Sequence, residues 1–205
     1  MKEKYHKRLR KLLESKWGFP ELKDKQMEII EAIVDQKRDV VGLLPTGYGK
    51  SMTYTIPPLI TKKVCIIISP LISLMDDQKE KLVEKDIPVA TLHGNNNRKD
   101  KEIFEIIDGN IHLVYMSPEF LIKGDGMELA TTLYEDKKLG LFAIDEAHCT
   151  SVWGHDFRND YLQLGLFRVL DLPIVIFSPI LEINATVFSS TVLLFFILND
   201  FSLFS

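Results

Sequence analysis

Residues 43–52 read LLPTGYGKSM, and several of them have the types and spacing to hold a chain of phosphates. Gly47 and Gly49 allow backbone N–H groups to approach an anion closely. Lys50 can reach the outer phosphates, and the Ser51 hydroxyl can sit on a Mg²⁺ ion bound with them. The usual pattern of such a loop opens with a glycine, where this chain has Leu44. A strand end at Leu44, followed by a turn through Pro45, Thr46 and Gly47, would make that glycine dispensable. A second cluster follows about a hundred residues later. In LGLFAIDEAHC, Asp145 and Glu146 come directly after an aliphatic run. An acidic pair at the carboxyl edge of a sheet that also carries a phosphate loop is the equipment of a nucleotide hydrolase: Asp145 for Mg²⁺, Glu146 to orient and deprotonate the attacking water.

These residues need elements to place them. Short aliphatic runs occur at 39–44, 64–69, 88–92, 111–116, 139–144 and 172–177, most without polar alternation. Strands apolar on both faces belong to a parallel sheet covered by helices. Amphipathic stretches at 24–36, 71–85 and 98–109, with the run after Gly49, supply crossover helices. The expected class is α/β, a mostly parallel sheet with helices on both faces. The phosphate loop then leaves a strand and enters a helix N-terminus, where unpaired N–H groups and the helix dipole favour an anion.

The 205 residues, 46% hydrophobic, can bury one good-sized core, and a formal net charge of −4 excludes bulk electrostatic binding of nucleic acid, so any such contact must be local. Cys65 and Cys149 have no C-x-x-C spacing, which points to a reducing compartment and no structural zinc. The basic N-terminus carries Leu9, Leu12 and Leu13 at helical spacing and reads as an amphipathic helix, a nuclear-import or DNA-contacting stretch being the alternative.

PTGYGKS together with Asp145-Glu146-Ala147-His148 resembles superfamily 2 helicases, and the extension DEAHCTSVWGHDFRNDYLQLG is similar to the RecQ family of DNA helicases. The resemblance implies a RecA-like lobe that uses ATP and Mg²⁺ and acts on single-stranded and duplex DNA. It implies an aromatic loop in which Trp153, His155, Asp156, Phe157 and Arg158 sense single-stranded DNA. Trp153 and Phe157 offer stacking faces, with core packing as the alternative. WGFPELKDKQ resembles the family's adenine motif, with Gln26 at the base-reading position and Lys23 where the family usually has Arg. SPLISLMDDQ, LHG and SPE resemble its motifs for the DNA backbone and nearby structure, which bring in Ser69, Pro70 and His93. Tyr48 in TGYGKS points to the Werner-type branch. Work in DNA repair, recombination or replication is implied, in the nucleus of a eukaryote or the cytoplasm of a bacterium.

The resemblance divides the chain into an N-terminal helix with the start of the adenine motif (1–22), the ATP-binding lobe (23–178) and a divergent apolar tail (179–205). Where the family has Thr-Ala-Thr-Ala, this chain has Ser178-Pro179-Ile180-Leu181, so the link from hydrolysis to strand separation is in doubt. The tail looks like a truncated or alternatively spliced product, or a faulty gene model, ending before a second lobe. Its run from Val187 to Leu198 is short of the ~20 residues of a membrane span. The expectation is that removing 182–205 improves solubility and leaves nucleotide binding intact. Against the helicase reading stand a nucleotide- and DNA-binding module without unwinding, and an RNA helicase of the DEAD/DEAH groups.

Overall fold

The computed structural model describes residues 3–94, 96–123, 125–147, 164–178 and 201–204. Seven strands form one sheet, all in parallel: β1 (Asp39–Leu43), β2 (Val64–Ile68), β3 (Val89–Leu92), β4 (Leu113–Met116), β5 (Leu139–Ile144), β6 (Ile174–Ser178) and β7 (Phe201–Phe204). Their order across the sheet is β3-β4-β2-β5-β6-β1-β7. Six of the seven coincide with the aliphatic runs to within one or two residues at each end.

The strands are apolar on both faces because both faces are covered. Along β2, Cys65 and Ile67 enter one core while Val64, Ile66 and Ile68 enter the other. The same alternation runs through β5 and β6, as a pleated strand requires. The first core is closed by α1 (Glu3–Leu12), α2 (Asp24–Val34), α3 (Lys50–Thr61) and α4 (Ile72–Val83), through residues such as Leu9, Ile29, Ile56 and Met75. The second is closed by α5 (Lys99–Ile107), α6 (Pro118–Ile122), α7 (Asp125–Glu135) and the 3₁₀ turn Leu164–Val169, through Ile106, Leu121, Leu133 and Phe167. Polar contacts pin the corners. Arg8 donates to the Ile60 carbonyl at the end of α3 (2.7 Å), and the buried Asp39 carboxylate takes the Ile174 N–H (2.9 Å), locking β1 to β6.

One close approach sets the geometry of the middle of the sheet. A Cβ on Gly42 would lie 2.4 Å from the Phe177 ring, so only glycine lets that ring sit against β1. Phe177 in turn meets the Tyr54 ring of α3, centroids 5.7 Å apart.

Part of the segment read as a divergent apolar tail packs on the lobe. Residues 201–204 form β7, pairing Asp39, Val40, Val41 and Gly42 of β1 with Phe201, Ser202, Leu203 and Phe204. β7 thus covers one edge of the strand that carries the phosphate loop. Residues 179–200, including the run once weighed as a membrane anchor, lie outside the described residues, and among the described residues no helix is long and apolar enough to cross a membrane. Removing 182–205 should therefore destabilise the lobe. The ladder has four residue pairs, and at ~1 kcal/mol net per lost hydrogen bond its loss costs on the order of a few kcal/mol, a fall in Tm of several degrees by calorimetry. An unchanged Tm would restore the view of a dispensable tail.

Candidate functional site

The loop after β1 takes the expected form. Leu44 is buried at the strand end, and the Tyr48 N–H reaches back to the Pro45 carbonyl (3.1 Å), closing a turn over Pro45-Thr46-Gly47-Tyr48. Gly47 stands third in that turn with φ +78°, the left-handed conformation a type II turn demands there. Gly49, at φ +93°, is the N-cap of α3, so the first N–H groups of α3 open onto the loop. Pro45, Thr46 and Gly47 are exposed, and Tyr48, Lys50 and Ser51 half-buried.

Gln26 stitches this loop to the start of α2. Its side-chain oxygen accepts the Lys23 N–H (3.0 Å), while its amide nitrogen donates to the carbonyls of Tyr48 (3.2 Å) and Gly49 (3.1 Å). At 3% exposure the amide must satisfy itself internally, and the loop carbonyls are what it finds. It is therefore turned onto the phosphate loop, not into open space as a free base-reading group. Lys23 lies beside it, its ammonium 3.2 Å from the Tyr48 carbonyl and 4.4 Å from the centre of the Tyr48 ring. A cleft of about 630 Å³, lined by Leu22, Lys23, Glu28 and Tyr48 among others, opens at this point.

Asp145 and Glu146 follow β5 and face the N-terminal turn of α3. The Lys50 ammonium is 3.6 Å from a Glu146 oxygen, and the Tyr54 hydroxyl donates to Asp145 Oδ2 at 2.7 Å. Lys50 and Tyr54 are four residues apart, hence on one face of the helix. The other oxygen of Asp145 accepts the Glu146 N–H (3.0 Å). Burial raises the Asp145 carboxyl above its ordinary value and the Glu146 charge adds to this, while the Tyr54 bond and Lys50 oppose it. Burial also pushes the Tyr54 hydroxyl well up, with Asp145 adding to the effect, so it remains a proton donor. Glu146 is held at φ +50°, a conformation costly for a residue with a side chain and frequent at functional sites. The strand end is tied down by the Asp145 N–H on the Ile68 carbonyl (3.0 Å) and the Ala147 N–H on the Phe177 carbonyl (3.0 Å).

The nucleic-acid candidates divide. Ser69 and Pro70 are buried in the turn after β2, and Ile72, 39% exposed, is the outward residue that follows. His93 is half-buried at the end of β3, with Nδ1 buried and making no hydrogen bond. The loop behind it is clamped by Glu102, whose carboxylate receives Lys79 (2.8 Å), the Thr91 N–H (3.1 Å) and the Asn96 amide (3.0 Å). Trp153, His155, Asp156, Phe157 and Arg158, with His148 and Cys149, lie outside the described residues. Sequence reasoning missed Tyr54 and the Glu102 clamp. A tyrosine one helical turn beyond Lys50 was a signal for the first.

The DEAD/DEAH box helicase family matches residues 23–192. The chain belongs to that family. It is 36% identical over 179 residues to the mouse bifunctional 3'-5' exonuclease/ATP-dependent helicase WRN, and 39% identical over 171 residues to the RecQ-like DNA helicase BLM of Xenopus laevis. It is 37% identical over 186 residues to a probable ATP-dependent DNA helicase, RecS, of Bacillus subtilis. The alignments cover 87%, 80% and 90% of this chain but only 12%, 12% and 36% of those proteins. The RecQ resemblance read from the motifs is thus borne out. Among solved structures, the DUF1998 helicase MrfA bound to DNA and AMPPNP superposes with a TM-score of 0.74 at 23% identity, over 100% of this chain and 30% of that one, a likeness of fold.

Gly49→Ala tests the loop. The new Cβ would lie 2.5 Å from the Gln26 amide nitrogen at a φ that alanine resists, so nucleotide affinity should fall at least ~10-fold by calorimetry, a loss of about 1.4 kcal/mol. Retained affinity would show that the loop need not hold this conformation.

Proposed function

We propose that this chain is the ATP-binding lobe of a RecQ-like helicase, in which ATP hydrolysis drives movement toward the 3′ end of one DNA strand and unwinding of the duplex. The observation that carries this reading is the convergence of a phosphate loop and an acidic pair on one helix terminus, Lys50 3.6 Å from Glu146 and Tyr54 2.7 Å from Asp145.

The residues present suit Mg²⁺. That ion is held by one or two carboxylates together with substrate phosphates and water, not by an all-protein cage. The site offers the Asp145 carboxylate and, at the loop, the Ser51 hydroxyl. Among the described residues no group of three or more His, Cys, Asp or Glu could hold a metal alone, which fits an ion that arrives with a nucleotide. When bound, Mg²⁺ would neutralise phosphate charge.

The chain's own groups would act as follows. The base would enter the cleft beside Lys23 and Tyr48, with Gln26 exchanging a loop carbonyl for the base edge. The phosphates would meet the N–H groups of 47–51 at the positive end of α3. Lys50 would turn from Glu146 to a phosphate oxygen, and that exchange would leave Glu146 to orient and deprotonate water. Catalysis at speed requires a cation from across the cleft, supplied in this family by a second lobe. Trp153, Phe157 and Arg158, with His155, would report single-stranded DNA to the site.

Lys50→Ala should abolish measurable Mg-ATP binding by calorimetry while the melting temperature stays within a few degrees, because the Lys50 ion pair with Glu146 is long, at 3.6 Å. Equal affinity in both proteins would remove Lys50 from phosphate recognition. In a protein carrying both lobes, Glu146→Gln should keep nucleotide binding and lower turnover at least ~100-fold, the scale of a lost general base. Turnover there should rise with single-stranded DNA and not with RNA. Stimulation by RNA alone would favour the RNA-helicase alternative.

A further inference from the structure

We propose that Tyr54 is a positioning residue for the metal-facing carboxylate, holding Asp145 in one orientation from the protein side. The inference rests on the reading of Asp145 as the Mg²⁺-facing group and adds the part of the protein that keeps it there.

Asp145 uses its two oxygens on two different donors. Oδ1 takes the N–H of the next residue, Glu146 (3.0 Å), and Oδ2 takes the Tyr54 hydroxyl (2.7 Å). Rotation of the carboxylate breaks both bonds, so together they fix its plane, and the lone pairs they leave are those a cation can use. The Tyr54 ring cannot drift, being 1% exposed and packed on Phe177, itself seated against Gly42. A phenylalanine would fill the same space. The hydroxyl is therefore the informative atom, and it is aimed at a buried carboxylate at charge-assisted distance. Tyr115 of β4 adjoins this pair and feels both Tyr54 and Asp145. It is equally buried in the same core and its hydroxyl makes no well-formed hydrogen bond.

The spacing on α3 gives the device a purpose. Lys50 and Tyr54 stand one turn apart, and each engages one member of the acidic pair. Lys50 must leave Glu146 when phosphate arrives, whereas Tyr54, 1% exposed, is shielded from the nucleotide and keeps its bond. One helix face thus carries a contact that exchanges and a contact that stays.

The test titrates Mg²⁺ against the full 205-residue chain with a fluorescent ATP analogue, for the parent, Tyr54→Phe and Asp145→Asn. Removing one hydrogen bond to a charged group should raise the Mg²⁺ half-saturation about tenfold in Tyr54→Phe and leave analogue binding in EDTA unchanged. An unchanged half-saturation in Tyr54→Phe, with Asp145→Asn strongly impaired, overturns the role of Tyr54 and spares the site. An unchanged half-saturation in Asp145→Asn overturns the metal reading and this proposal with it. An equal loss of affinity in EDTA for Tyr54→Phe means that the hydroxyl acts on the nucleotide site independently of the metal, and also overturns it. Should Tyr54→Phe not fold, the hydroxyl proton resonance of Tyr54 in the unmodified chain decides. It should shift when Mg²⁺ is added to the analogue-bound protein, and a resonance that does not move refutes the proposal.

Discussion

Two carboxylates on consecutive residues at the end of a buried strand repel each other and resist desolvation, and the site depends on how that repulsion is held. Asp145 is 7% exposed and its carboxyl is pushed up by burial. The answer is one face of α3, which brings an ammonium to Glu146 and a phenolic hydroxyl to Asp145. A charge so stored has a strong preference for a cation. The strained backbone at Glu146 belongs to the same arrangement, since it turns consecutive side chains toward different partners on that helix.

The sheet exists, in this view, to bring α3 and the end of β5 together. β6 lies between β1 and β5, so the phosphate loop and the acidic pair leave strands that are one apart. Gly42 admits Phe177, Phe177 supports Tyr54, and Tyr54 reaches Asp145, a line of contact that crosses the three strands. Gln26 adds a second tether by bonding the loop from α2. A change in the loop is therefore felt at α2 and at the acidic pair alike.

Much of this was legible in the sequence for a simple reason. Strands apolar on both faces, such as VCIII at 64–68, announce a covered parallel sheet, and a Gly-Lys-Ser entering a helix after one of them announces where anions bind. The turn through Pro45 followed from proline and glycine chemistry alone. What the sequence concealed depended on distant pairing. Residues 201–204 follow the turn-forming Asn199-Asp200 but are only four residues long, and only the bare edge of β1 gives them a place. The bond from Tyr54 to Asp145 spans 91 positions, and its only local mark was a tyrosine one helical turn beyond Lys50. Ser69 and Pro70 carried a family signature, but the packing of the β2–α4 turn buries them. The bonds of the buried Gln26 amide to the loop carbonyls likewise had no mark in the sequence.

The central claim is that a Mg²⁺ nucleotide binds where α3 faces the acidic pair. A crystal structure with a non-hydrolysable ATP analogue and Mn²⁺ in place of Mg²⁺ tests it directly through the anomalous signal of the metal. The account predicts one peak at the loop, ~2.1 Å from the Ser51 hydroxyl and either that close to an Asp145 oxygen or one water away, with Lys50 moved onto a phosphate. A nucleotide bound elsewhere, or a metal peak with Lys50 still on Glu146, would contradict it.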